Sequence, residues 1–159
     1  MKLNFMIQHI IQFLDLAAYA FIASQAMFYL LAMSKTVKGM RPESFVEFKN
    51  LLDGKLQISL RFVYYSALFI GPVWCYVAVR SHEQLIIITS FIALLALSID
   101  ICFLLKGNQP INKVFQTWNR ENYPENWEEV KQKWFMHYHR RQIAGLIGFF
   151  CLLIGAVFR

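Results

Sequence analysis

Apolar residues gather into four long blocks along this chain, roughly 5–33, 58–79, 85–105 and 143–158, separated by segments in which charge is concentrated. About 20 largely apolar helical residues cross a hydrocarbon core of about 30 Å. The first three blocks have that length. The fourth reaches it if Arg140, Arg141 and Arg159 extend their side chains toward the headgroups. The pattern predicts an all-α fold: a single integral membrane four-helix bundle over 1–159, with no room for a soluble domain beside it.

The connections carry helical patterns of their own. After the first block, Pro42 suits a first helical turn. Phe45, Phe48, Leu52 and Leu56 then recur at helical spacing, with Glu43, Glu47, Lys49 and Asp53 off that stripe. This segment is either an interfacial amphipathic helix or an extension of the second span, and Gly54 weighs against the continuous version. The second connection, 80–84, is a short turn that makes spans two and three antiparallel neighbours. In the third, Pro110 opens a short amphipathic helix with Ile111, Val114, Phe115 and Trp118 on one face. After a polar break containing Pro124, Asn126 caps a new helix, and Glu129 completes a capping box. Nothing stops that helix before Phe158. Trp127, Val130, Trp134, His137, Tyr138 and Arg141 form one stripe along it, and Gly148 and Gly155 mark a small-residue face suited to close helix contact.

Charge adds an orientation. Thirteen of the sixteen basic residues flank the first and third connections, leaving Lys2, Arg80 and Arg159 for the other side. The positive-inside rule then places those two connections in the cytoplasm and both termini outside it, in a bacterial inner membrane. The net charge of +6 would suggest nucleic acid as a partner in a soluble protein. Here the basic residues sit between spans, so the partners expected are anionic membrane lipids and no nucleic acid. Ala18-Tyr19-Ala20 resembles a signal-peptide cleavage site, but Gln8, His9, Gln12 and Asp15 interrupt the apolar run before it, which favours a retained first span. Cys75, Cys102 and Cys151 all fall within spans, and no CxxC or Cys/His cluster supports a disulfide framework or a zinc site. No metal or cofactor is predicted, although His9 and His82 both lie toward the outer side, where they could share a metal or haem.

Ionisable groups at membrane depth face the bundle interior or mark function, because lipid solvates them poorly. Gln8, Gln12, Asp15 and Tyr19 follow an i, i+4, i+7, i+11 pattern that puts all four on one inward face of the first span. Their role is either interhelical hydrogen bonding or a ligand or proton site. Asp100, near the cytoplasmic end of the third span, is expected to pair with Arg61, which lies at similar depth one turn from Tyr64 and Tyr65. Such a pair could specify helix register or serve chemistry. His137 shares the face of Trp134 and Arg141, whereas His139 turns off it, so His137 is the better candidate for proton transfer.

The run Asn108-Gln109-Pro110-Ile111-Asn112, followed by Trp127, Trp134 and the arginines leading into the last span, resembles the anthrone-oxygenase-like family of small four-span membrane proteins. The likeness covers the four-span plan, with distinctive residues over 108–141. Where that family often has a single Asn or His after the second Trp, this chain has His137-Tyr138-His139-Arg140-Arg141. The resemblance implies oxygenation of a lipophilic phenolic or quinone-type substrate without metal or flavin. His137 would be the base and Arg61 or Arg141 would stabilise the anion. Asn108 and Asn112 would orient it, beside Asp100, and Trp118, Trp134, Tyr64 and Tyr65 would form aromatic walls. Two other classes stand beside the enzyme. One is a non-catalytic subunit or lipid-interacting protein whose polar residues set packing. The other is a proton carrier using Asp15 and Asp100, for which a homo-oligomer would supply further helices.

Overall fold

The computed structural model describes the backbone of residues 2–158 and the side chains of 6–52, 58 and 60–158. The side chains of Lys2, Phe5, Asp53, Lys55, Leu56 and Arg159, which entered the readings of spans, stripe and charge, lie outside the described residues.

Helix α1 (Lys2–Phe28) continues through a π-helical turn at Tyr29–Met33 into the short α2 (Ser34–Lys38). Arg41 is extended, as a residue before proline prefers, and Pro42 opens α3 (Pro42–Ser81). His82, in the left-handed region at φ 61°, ends α3 and turns the chain into α4 (Gln84–Phe103). A second π-helical turn, Leu104–Asn108, leads into α5 (Gln109–Phe115), and α6 (Trp127–Val157) closes the fold. Among the described residues, four helical stretches are long and apolar enough to cross a membrane: Met6–Lys38, Leu60–Ser81, Gln84–Phe115 and Trp127–Val157.

The helices pack as a ring in the order α1, α3, α4, α6, each antiparallel to both neighbours, with α4 against α6 the most extensive contact. Small residues on α6 allow that closeness. A Cβ on Gly148 would lie 2.5 Å from Cε1 of Tyr19, and one on Gly155 would collide with Thr89. Tyr19 then reaches across the ring, its hydroxyl donating to the Ala93 carbonyl at 2.7 Å.

Several local expectations are corrected. The 40 residues of α3 run through Gly54 without a break. At 1.5 Å per residue they measure about 60 Å, roughly twice a hydrocarbon core. The connections therefore form more than loops. Tyr29, Val37, Phe45, Val46, Phe115, Trp118, Trp134 and Phe135 make a second core at the connection end, distinct from the one among the spans around Tyr19, Tyr64, Ala67, Trp74, Ala93 and Leu97. The chain thus builds a packed cap on the same helices rather than a separate domain. Helix α5 ends at Phe115, before Trp118, and Val114 points outward while Phe115 is buried. Helix α6 begins after Asn126 as expected, but the Asn126 side chain makes no cap bond; its carbonyl accepts from Glu129 and Val130 instead.

Candidate ligand cavity at the connection end

Where the two cores meet, a cavity of 420 Å³ opens between α3, the α4–α5 segment and α6. Its aromatic walls are Tyr64 and Tyr65 from α3 and Trp134 and Tyr138 from α6. Trp134 and Tyr138 are one helical turn apart and stack with ring centroids 4.6 Å apart and planes 13° from parallel. Lys49 reaches the same wall, its Nζ 4.8 Å from the Trp134 ring, and is itself buried.

Behind this wall lies a charged network. Arg141 donates from Nε to Oδ1 of Asp100 at 2.7 Å and from Nη2 to the Tyr64 hydroxyl at 3.1 Å. The Tyr64 hydroxyl in turn donates to Oδ2 of Asp100 at 2.6 Å. All three residues are buried, and the guanidinium sits near the rings of Tyr64 and Tyr138. Burying a charge pair is tolerated when remaining polar atoms are also bonded, and here each group satisfies the other two.

The amides are supplied by the second π-helical turn. In a regular helix Asn108 would lie roughly 80° round from Asp100, whereas the wider turn takes up the extra rotation and both residues are buried. Asn108 donates from Nδ2 to the Trp134 carbonyl at 3.0 Å, while its Oδ1 is buried without a hydrogen-bond partner among the described residues. The Trp134 indole donates to Oδ1 of Asn112 at 2.7 Å. Gln25 of α1 completes the lining and donates to the Tyr138 hydroxyl at 2.9 Å.

The sequence-based candidates divide accordingly. Asn108, Asn112, Tyr64, Tyr65, Trp134, Arg61 and Arg141 all line the cavity, with Arg61 and Tyr65 on its exposed rim. Asp100 stands behind it, and the expected Arg61–Asp100 pair is replaced by Arg141–Asp100. Arg61 lies three residues before Tyr64, at the edge of its face, so the turn that brings the Tyr64 hydroxyl inward leaves Arg61 outside. His137 does not line the cavity. Its ring lies against Gly107, where a Cβ would come within 2.6 Å of its Nδ1, and near Phe103; that Nδ1 is buried without a hydrogen-bond partner among the described residues. Trp118 belongs to the cap core, its carbonyl accepting from Asn50. Gln12, Asp15 and Tyr19 are buried on the inward face expected, with Gln8 half-buried, but toward the opposite end of the bundle. There Oδ1 of Asp15 has no hydrogen-bond partner among the described residues and packs beside Gly71.

Sequence reasoning missed Lys49, Lys131, Gln25 and Tyr138 as partners in these arrangements. Lys49 was placed off the apolar stripe, yet it follows Phe45 and Val46 by four and three residues and shares their buried face. Lys131 is buried too, donating to the Lys38 carbonyl at 2.9 Å and lying 4.6 Å from the Trp127 ring, which ties the end of α2 to α6. The signal was available in the spacing, but hydropathy scores both lysines as solvent-seeking. Among the described residues no three His, Cys, Asp or Glu side chains gather as metal ligands. No protein-family model, curated protein or solved structure matches the chain.

Proposed function

We propose that the cavity binds a flat, lipophilic phenol or quinone, and that with a phenolic ligand of the anthrone type Lys49 and Arg141 hold the oxygen of its ionised form so that it reacts with dioxygen. The observation that carries this reading is the convergence of two buried basic side chains on one aromatic-walled cavity, beside the stacked Trp134–Tyr138 pair. A planar ligand stacks on such a wall, and fixed cations lower the energy of a developing oxyanion. The likeness of 108–141 to anthrone-oxygenase-like proteins points the same way.

In the reaction proposed, an activated ring methylene loses a proton, and the electron-rich carbanion reduces dioxygen and forms a C–O bond to it. Loss of water from the resulting hydroperoxide leaves a carbonyl. Both methylene hydrogens and one oxygen atom leave as that water. His137, turned toward Gly107, is not positioned to take the first proton from a ligand in the cavity. Instead the cations favour the ionised ligand directly, and the proton leaves to water on the connection side of the rim, where Arg61 and Gln109 are exposed. The excess of basic residues at the connection end supports a reading in which that end faces the cytoplasm of a bacterial cell.

The test uses the full chain in lipid nanodiscs with a hydroxyanthrone as probe. The expected results are a red-shifted phenolate band on binding, quenching of Trp134, and oxygen uptake that exceeds the protein-free rate. Lys49→Met and Arg141→Met should each weaken binding at least about tenfold, or about 1.4 kcal/mol. Oxygen uptake no faster than in empty nanodiscs would refute the reaction. A second reading, in which the network only fixes helix register, is favoured by the way Asp100, Tyr64 and Arg141 satisfy one another; absence of probe binding would select it.

A further inference from the structure

We infer that the ligand is a membrane-resident amphiphile, a phenol or quinol head bearing an aliphatic chain, that enters sideways from the bilayer through the seam between α3 and the end of α4. The inference rests on the cavity being a phenol or quinone site and adds the route and the tail.

The deep wall of the cavity asks for a hydroxyl. The Trp134 carbonyl is only an acceptor, so the bond from Nδ2 fixes the orientation of the Asn108 amide and leaves Oδ1 as a buried acceptor, in a residue 1% exposed. A head group placed there is favoured if it donates a hydrogen bond and disfavoured if it brings another acceptor. Phenols and quinols donate; their methyl ethers do not.

The outer wall is of the opposite character. Tyr65, Leu68 and Leu105 line the cavity and are nevertheless 67%, 40% and 52% exposed. Tyr65 shares its face of α3 with Phe62 and Phe69, which are 75% and 77% exposed on the apolar outer surface of a helix long and apolar enough to cross a membrane. The mouth therefore has two sides: Arg61 and Gln109 are exposed toward the charged connections, whereas Tyr65, Leu68 and Leu105 continue the apolar outer surface. At 420 Å³ the cavity lies near the small end of ligand sites, which span about 300–1,000 Å³. It houses a compact ring system, so a longer chain must leave through the mouth, where it remains in hydrocarbon. Each methylene kept there raises the membrane-bound population of the ligand about fourfold.

The experiment uses full-length protein in nanodiscs and three probes: a naphthol, the same naphthol with a chain of roughly twelve carbons carrying a terminal diazirine, and the methyl ether of the latter. Expected are photolabelling of peptides covering 61–69 and 101–105 by the chain-bearing naphthol, its displacement by unlabelled chain-bearing naphthol, and at least about tenfold weaker competition by the ether. Labelling spread over other helices, with the short naphthol bound, would overturn the lateral route while leaving the phenol site standing. Equal competition by the ether would overturn the hydroxyl requirement set by Asn108. If neither naphthol binds, the phenol site itself falls, and this inference with it.

Discussion

Replacing Arg141 with methionine removes the guanidinium that holds Asp100 and keeps most of the side-chain volume. Asp100 is 1% exposed and accepts from Arg141 at 2.7 Å and from Tyr64 at 2.6 Å. In the variant the Tyr64 bond survives, but the carboxylate is left among apolar groups with no counter-charge from α6. Breaking a buried pair from one side costs about 3–5 kcal/mol, and Asp100→Leu should cost as much by stranding Arg141. The double variant Asp100→Leu/Arg141→Met removes both charges and leaves one unpaired Tyr64 hydroxyl, a loss of about 1–3 kcal/mol. Independent effects would add to about 6–10 kcal/mol, so a coupling of at least about 3 kcal/mol is expected. Unfolding in mixed micelles with increasing dodecyl sulfate, followed by tryptophan fluorescence, measures all four corners of the cycle. A double variant as unstable as the sum would refute the pairing. A single-variant cost below about 1 kcal/mol, close to the 0.6 kcal/mol typical of interhelical hydrogen bonds in membranes, would mean that water already reaches Asp100.

Gly107→Ala should destabilise by about 1–3 kcal/mol in the same assay, because its Cβ would fall 2.5 Å from Cγ of His137, and Gly107→Ala/His137→Ala should recover only part of that loss, since the Cβ at 137 would still lie 2.9 Å away. Lys49→Met should red-shift Trp134 emission if water fills the space beside the indole, and removal of the cation–π contact should cost about 0.5–2 kcal/mol in unfolding; unchanged emission and stability would deny Lys49 a place on that wall. A pH effect is expected in the cap. Glu43, in the first turn of α3, is held below the ordinary carboxylate range by its own backbone N–H and then by the Tyr123 hydroxyl, which donates to it at 2.8 Å, and that bond in turn raises the Tyr123 phenol. A depressed folded value means the contact contributes above the ordinary carboxylate range and is lost as pH falls through the lowered value. Amide exchange in 119–126, corrected for intrinsic rates, should therefore rise on acidification, and Glu43→Gln or Tyr123→Phe should raise it already at neutral pH.

What was legible in the chain follows from local rules. Hydropathy marks the four crossings because a span must be apolar for its full length, and the Gln12–Asp15–Tyr19 stripe is visible because one helix fixes its own periodicity. Gly148 and Gly155 announced close packing for the same reason, although not that Tyr19 and Thr89 would fill the space. Pairing across helices is a different problem. Tyr64 and Asp100 are 36 residues apart and Asp100 and Arg141 are 41, so their meeting depends on the depth and rotation of three helices at once. A shift of one residue turns a side chain by about 100°, enough to exchange Arg61 for Arg141 as the partner of Asp100. The π-helical turn at Leu104–Asn108 makes such a shift, since it turns Asn108 inward and sets Gly107 against His137. The sequence alone thus determined that this chain forms four helices long and apolar enough to cross a membrane, with a polar inner seam. Only the tertiary structure decided which polar groups share a cavity, because that choice is made by rotation about helix axes, and the periodicity of a single segment carries no information about the angle its neighbour adopts.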